Sequence, residues 1–325
     1  MRWWCSAIVE KWTWTPRPYL GVWLLCAGLV IGYVLAGRRH RRQVAPELLD
    51  DLDDRALSRE RRRPWQFALG IFFLWLASDW PVGTLGAAYL ASIHMTQYML
   101  YTLAAAPLLM LATPEWMGRR IITSLHLEGV HRIVARPLIA AILCNVVLIA
   151  THSPVAVDAL RSTQFGSFLL DMIWLISGFI LWTPIISPLP EARASSAPIK
   201  LIYLFAAAAL LPMIPGGFLT FASQPLYSTY ELAPRLAGIE ALNDQQTAGI
   251  LMKIGNLPVI WIVMGVIWFR WYQSERGSEE RTILRDPVTG APIRRAATAA
   301  AATAATTAAT TAESPGPTPA GSSRT

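Results

Sequence analysis

The sequence predicts an all-α, polytopic membrane protein of about seven transmembrane helices, with its N-terminus outside and its C-terminus cytoplasmic. Three observations carry that expectation. Residues are 54% hydrophobic and 15% charged, where a soluble domain carries roughly a quarter charged residues. Seven apolar stretches are long enough to cross about 30 Å of hydrocarbon, which takes about 20 helical residues each. Arginines crowd alternate segments between those stretches.

In chain order the spans are expected at 18–37, 65–86, 88–112, 133–152, 165–187, 199–222 and 249–272. The first has a long apolar run followed by Arg38, Arg39, Arg41 and Arg42, so it reads as an uncleaved helix rather than a signal peptide. Pro81-Val82-Gly83 breaks the second span from the third and predicts an antiparallel hairpin. Prolines and glycines inside several spans are tolerated in a packed bundle. Trp3, Trp4, Trp12 and Trp14 are expected at the outer interface and Trp268 and Trp271 at the inner one, as anchors without chemistry.

Two segments are expected to stay unfolded. Residues 43–60 mix acids and arginines in a solvated loop, and from Ala296 an Ala/Thr run ends in Ser314-Pro315-Gly316-Pro317-Thr318-Pro319 with no face to bury. The domain organisation is then 1–63, a helix and basic loop; 64–275, a six-helix domain; and 276–325, a cytoplasmic tail.

Orientation follows the Lys/Arg bias. The first loop holds nine arginines between Arg38 and Arg63, and the third holds Arg119, Arg120, Arg132 and Arg136. The alternate loops carry only Arg161 and Arg235. The net charge of +7 is spread between apolar blocks rather than along one face, which argues against a nucleic-acid partner and for membrane lipid, in a multi-pass inner-membrane protein. Cys5, Cys26 and Cys144 form no pairing motif; the last two read as small buried residues.

Ionisable residues within spans are costly and mark function. Asp79, His94, His152, Asp171 and Lys253 all fall toward the outer ends of their spans, with Asp244, Gln245 and Gln246 just before the seventh. His94 and Tyr98 share a helical face, as do Met95 and Met99 on a neighbouring one, with Met213 and Met252 at the same level. Imidazole and thioether together suit copper. Plainer readings exist for each residue. A lone histidine can hydrogen-bond another helix, methionines pack, Asp79 and Lys253 can form an interhelical ion pair, and Asp244 to Gln246 can cap span seven. The convergence on one level favours a site of His94, His152, Asp171 and Met95, with Asp79, Tyr98, Asp244, Gln245, Gln246 and Lys253 around it.

Several stretches also resemble a known family. Tyr89-Leu90-Ala91-Ser92-Ile93-His94-Met95-Thr96-Gln97-Tyr98, followed by Ala106-Pro107-Leu108-Leu109, is similar to the His-Met-x-Gln-His signature of the caa3-type cytochrome c oxidase assembly factors called CtaG. Thr151-His152-Ser153-Pro154 resembles that family's Trp-His-x-Pro, and Gly178 through Pro184 its Gly-Leu-Leu-Phe-Trp-Trp-Pro. The best match is late: Gly217-Phe218-Leu219-Thr220-Phe221, then Pro225-Leu226-Tyr227-Ser228-Thr229-Tyr230, then Asp244 through Met252, in the family's order and spacing. The resemblance covers roughly 64–275. It implies a membrane protein that helps assemble terminal oxidase through its copper centre on the outer side, with oxidase subunits as partners. It also marks His94, His152 and Asp244-Gln245-Gln246. Three positions depart: the family's second histidine of the first motif is Tyr98 here, and a histidine pair at the start of span five aligns with Ser167 and Asp171.

Three functions compete. An assembly factor fits the polar cluster and the motifs. No activated nucleophile, phosphate loop or carboxylate pair is visible, so an enzyme is not expected. A transporter of copper or another small solute predicts polar residues continuing to the inner side, where only Asn145 and Gln66 offer themselves. A retinal photoreceptor would need its Schiff-base lysine near mid-membrane, and Lys253 lies near the outer end.

Overall fold

The computed structural model describes residues 2–8, 10–43, 54–194 and 196–283. In hydrocarbon a backbone must satisfy its own hydrogen bonds, and a helix does so within one segment; among the described residues every regular element is helical. In order these are α1 (Leu20–Gln43), α2 (Asp54–Ser78), α3 (Val82–Ala88), α4 (Ala91–Ala112), α5 (Glu115–Ser124), α6 (Glu128–Val134), α7 (Pro137–Thr151), α8 (Pro154–Arg161), α9 (Gln164–Ile186), α10 (Ala197–Phe221), α11 (Ser228–Glu231) and α12 (Ala241–Arg276).

Five of these, α1, α4, α9, α10 and α12, are long and apolar enough to cross a membrane. Two bent pairs, α2 with α3 at 41° and α6 with α7 at 94°, bring the number to seven if each counts as one crossing. The seven expected spans thus have counterparts, with three adjustments. Helix α2 starts at Asp54, inside the stretch expected to be a solvated loop. The single break expected at 81–83 is two: a turn after Ser78, where the Trp80–Pro81 peptide is cis, and an extended Leu90 that redirects the chain into α4. Span four is shorter than expected, because Arg136 is extended and Pro137 begins α7 afresh. Helical backbone runs on to Ile283, past the expected boundary at 276; the Ala/Thr tail and residues 44–53 lie outside the described residues.

Within residues 1–268, α4 is the central helix, packed against α2, α9 and α12, while α9 also packs on α7 and α10 on α12. Leu74, Tyr101, Leu170, Trp174 and Trp182 fill the middle. Small residues set the closest approach: a Cβ on Gly249 of α12 would lie 2.6 Å from the Thr220 nitrogen and 2.7 Å from the Gly216 carbonyl oxygen of α10. Backbones in contact are how membrane helices gain van der Waals energy when burial of apolar surface drives little. Outward residues such as Leu24, Ile31, Leu138, Val146, Ile149, Ile202, Phe218 and Ile262 are apolar and exposed, a surface that suits lipid rather than water.

Among the described residues three helices carry a π-helical turn: Leu100–Ala105 in α4, Phe205–Leu210 in α10 and Leu251–Gly255 in α12. Such insertions widen a helix locally and recur at functional sites.

Candidate functional site

The polar residues gather at one end of the bundle, where α4, α9 and α12 begin and α7 ends. His94 is the fourth residue of α4 and is fully buried. His152 follows the last residue of α7, where the helix opens and Ser153 and Pro154 start α8. Their rings lie 5.5 Å apart, edge to face. The Trp174 indole of α9 stacks on His152 at 5.3 Å and meets His94 edge-on at 4.8 Å. Its Nε1 donates to Thr151 Oγ1 at 3.1 Å, which fixes the ring beside both imidazoles.

The surroundings assign the tautomers. His152 Nδ1 lies 2.9 Å from the Leu148 carbonyl oxygen, which can only accept, so Nδ1 carries the proton. His94 Nδ1 lies 2.8 Å from the Tyr230 hydroxyl, whose own proton goes to the Gly86 carbonyl oxygen at 2.6 Å. Nδ1 of His94 is then the donor to that hydroxyl, and Arg161 Nη2, which can only donate, lies 3.4 Å from it without a hydrogen bond between them. Both Nε2 atoms are left with bare lone pairs, buried and without a hydrogen-bond partner. An imidazole whose Nδ1–H is held by an oxygen and whose Nε2 is free is arranged as a metal ligand is.

Beside the histidines lies a fully buried ion pair. Arg161 Nη1 is 3.1 Å from Asp171 Oδ1. Its Nη2 reaches Gln97 Oε1 and approaches His94 Nδ1, both at 3.4 Å, and its guanidinium lies 5.2 Å over the Trp174 ring. Burial weighs most, and against the Arg161 charge, but the Asp171 carboxylate together with Tyr230, Cys5 and Tyr101 holds the guanidinium above its ordinary range. The other Asp171 oxygen accepts from Trp4 Nε1 at 2.8 Å. The N-terminal segment thereby closes this end: Ala7 donates to the Arg161 carbonyl at 2.9 Å, and Gln164 Oε1 accepts from Trp3 at 2.8 Å. Trp4 is fully buried rather than anchored at an interface, correcting the expectation for it.

The segment between α10 and α12 supplies the tyrosines. Tyr227 donates to the His152 carbonyl at 2.8 Å, and Tyr230 holds His94. The segment is pinned on both sides. Asp158 of α8 accepts from the Ser228 and Thr229 backbone and from Thr229 Oγ1. Gln245 accepts from Leu226 at 2.6 Å and donates to Gln224, and Gln246 donates to Ala222. Asp244 does not cap its own helix: its carboxylate accepts from Ala91 at 2.5 Å, Ser92 at 3.3 Å and the Ser92 hydroxyl, at the N-terminus of α4. A carboxylate there satisfies free backbone N–H groups and meets the positive end of the helix dipole. The Asp244-Gln245-Gln246 run therefore sets the starts of α4 and of the tyrosine segment, and through them His94.

Of the four expected ligands, only His94 and His152 come together. Asp171 is engaged by Arg161 and Trp4, and Met95 turns to a neighbouring cavity. Among the described residues no three His, Cys, Asp or Glu side chains converge as a metal site. Tyr98 lies edge-on to His152 at 4.9 Å, between that ring and the same cavity. Asp79 accepts from Tyr19 at 2.9 Å and Trp75 Nε1 at 3.0 Å, capping α1, while the Lys253 ammonium sits 5.0 Å over the Phe221 ring. The two do not pair, because each has found another partner. Cys26 and Cys144 are buried, as expected, and so is Cys5.

Arg161, Trp174, Tyr227 and Tyr230 are site residues that sequence reasoning passed over. Arg161 was legible in one respect: it is a lone arginine in a loop class otherwise almost free of positive charge.

The family model for the cytochrome c oxidase caa3 assembly factor, Caa3_CtaG, matches residues 31–274. The chain belongs to this family. The match begins within α1, before the stretch in which the resemblance is legible by eye, and takes in every residue that contributes to the histidine site except the N-terminal segment. No curated protein and no solved structure matches the chain. As a CtaG-family protein it is a membrane protein of an oxidase assembly-factor family.

Proposed function

We propose that this protein assists formation of the oxidase's copper centre, as a non-enzymatic assembly factor that holds copper between His94 and His152 for an oxidase subunit. The observation that carries this reading is the pair of buried, unpartnered Nε2 atoms on facing imidazoles. Two neutral nitrogen donors suit Cu(I), which accepts low coordination numbers and nitrogen or sulfur ligands. The ion is cargo here, and this chain's part is to fix the donors: Leu148 and Tyr230 hold the tautomers, and Trp174 holds the rings. The Arg161–Asp171 pair keeps the neighbouring charge balanced.

The arginine bias supports an N-terminus outside, a C-terminus in the cytoplasm and, with them, histidines at the outer side of the cell membrane.

Copper content, by elemental analysis of detergent-purified protein, tests the proposal. The expected result is one equivalent less copper in His94→Ala/His152→Ala than in the wild type, together with lower oxidase maturation in cells carrying only that variant. Unchanged oxidase assembly in those cells would overturn the functional reading.

A further inference from the structure

Next to the histidines, across Tyr98, lies a partly open cavity that the site above does not use. Its wall carries the thioethers of Met95, Met99 and Met252, the thiol of Cys144 and the amides of Asn145 and Asn256. The volume of about 30 Å³ holds an ion or one or two water molecules and no organic solute. All three π-helical turns contribute to it, through Thr102 and Leu103 of α4, Ala207 and Ala208 of α10 and Met252 of α12. The widened backbone makes the room.

Packing alone does not account for the wall. Asn145 spends its amide protons on the Ala141 and Ala207 carbonyls. Asn256 donates to the Ala208 carbonyl, and its Oδ1 is buried without any partner. An unpaired amide oxygen in an apolar interior is destabilising unless something in the cavity meets it. Gly255 lets the soft donors close in: a Cβ there would stand 3.2 Å from Met99 Sδ. Three thioethers, a thiol and one amide oxygen around a space of ionic size select a soft, monovalent cation over a hard divalent one.

We propose that this cavity is a second binding station for Cu(I), held by the Met95, Met99 and Met252 thioethers with the Asn256 oxygen as a further donor. Met95 follows His94 on α4, and Tyr98 borders both His152 and the cavity, so the two stations share a wall. The thioether station would receive or release the ion one step from the histidines. This role in copper handling rests on the proposed function; the binding itself does not.

The test is Cu(I) titration of the purified full chain against a chromophoric chelator, with X-ray absorption at the copper edge. His94→Ala/His152→Ala is expected to retain one equivalent with sulfur neighbours. Met95→Leu/Met99→Leu/Met252→Leu is expected to lose that equivalent and keep the one bound by nitrogen. Selenomethionine-labelled protein, which needs no substitution, is expected to show copper–selenium scattering. The thioether station is overturned if the histidine variant binds no Cu(I), if its copper has only nitrogen and oxygen neighbours, or if the labelled protein shows no selenium at the metal. Failure of the histidine site looks different: the leucine variant would then bind nothing while the histidine variant still bound one equivalent.

Discussion

The Tyr230 hydroxyl stands 2.8 Å from His94 Nδ1 and 2.6 Å from the Gly86 carbonyl oxygen, so one proton of a residue distant in sequence decides which nitrogen of His94 is free. Burial pushes the Tyr230 hydroxyl far above its ordinary range, and it stays protonated at any working pH. Tyr230→Phe removes the acceptor for His94 Nδ1–H and leaves both histidines in place. The expected outcome is Cu(I) affinity at the histidine pair lowered about 10–100-fold, the usual scale for losing a ligand's outer hydrogen bond. Competition titration measures it, and far-ultraviolet circular dichroism should be unchanged.

Arg161 and Asp171 are both fully buried, and one cannot be removed without stranding the other. Arg161→Met alone should destabilise the protein by about 3–5 kcal/mol. Arg161→Met combined with Asp171→Leu should recover most of that loss, because no uncompensated charge remains. Denaturant midpoints in detergent for the two single variants and the double variant give the coupling directly.

Asp244 caps α4 from another helix. Asp244→Ala should cost about 1–2 kcal/mol, the range for a lost N-cap, and Asp244→Asn distinctly less. Because the cap sets where His94 begins, Asp244→Ala should also weaken Cu(I) binding, but by less than Tyr230→Phe. The same titration, run on the three proteins together, orders them.

Cys5 is buried beneath the N-terminal segment, and burial first, then the Asp171 carboxylate, pushes its thiol well above the ordinary range. It should therefore resist alkylation in the folded protein. In a Cys26→Ser/Cys144→Ser background, Trp4→Ala should speed maleimide labelling of Cys5 about tenfold or more, since about 1.4 kcal/mol of lost docking gives that factor in segment opening. Equal rates would mean that Trp4 does not hold the segment down.

The number, order and approximate limits of the spans were legible in the sequence, because each rests on local composition: about 20 apolar residues have one stable conformation in hydrocarbon. So was the gathering of His94, His152, Asp171 and Asp244 at one end of the bundle, which follows from where each falls along its own span. The partners of those residues were not legible. Asp171 looked like a ligand until Arg161 and Trp4 were found on its two oxygens, and Asp79 looked like a partner for Lys253 until α1 claimed it. Trp4 read as an interfacial anchor because nothing near it in sequence reveals that it reaches residue 171. Sequence by itself determined which stretches form helices apolar enough to cross a membrane and which end holds the polar groups. Only tertiary structure decided which atoms are satisfied and which are left free, because the deciding hydrogen bonds join residues from about twenty to more than a hundred and fifty positions apart and depend on distances of a few tenths of an ångström.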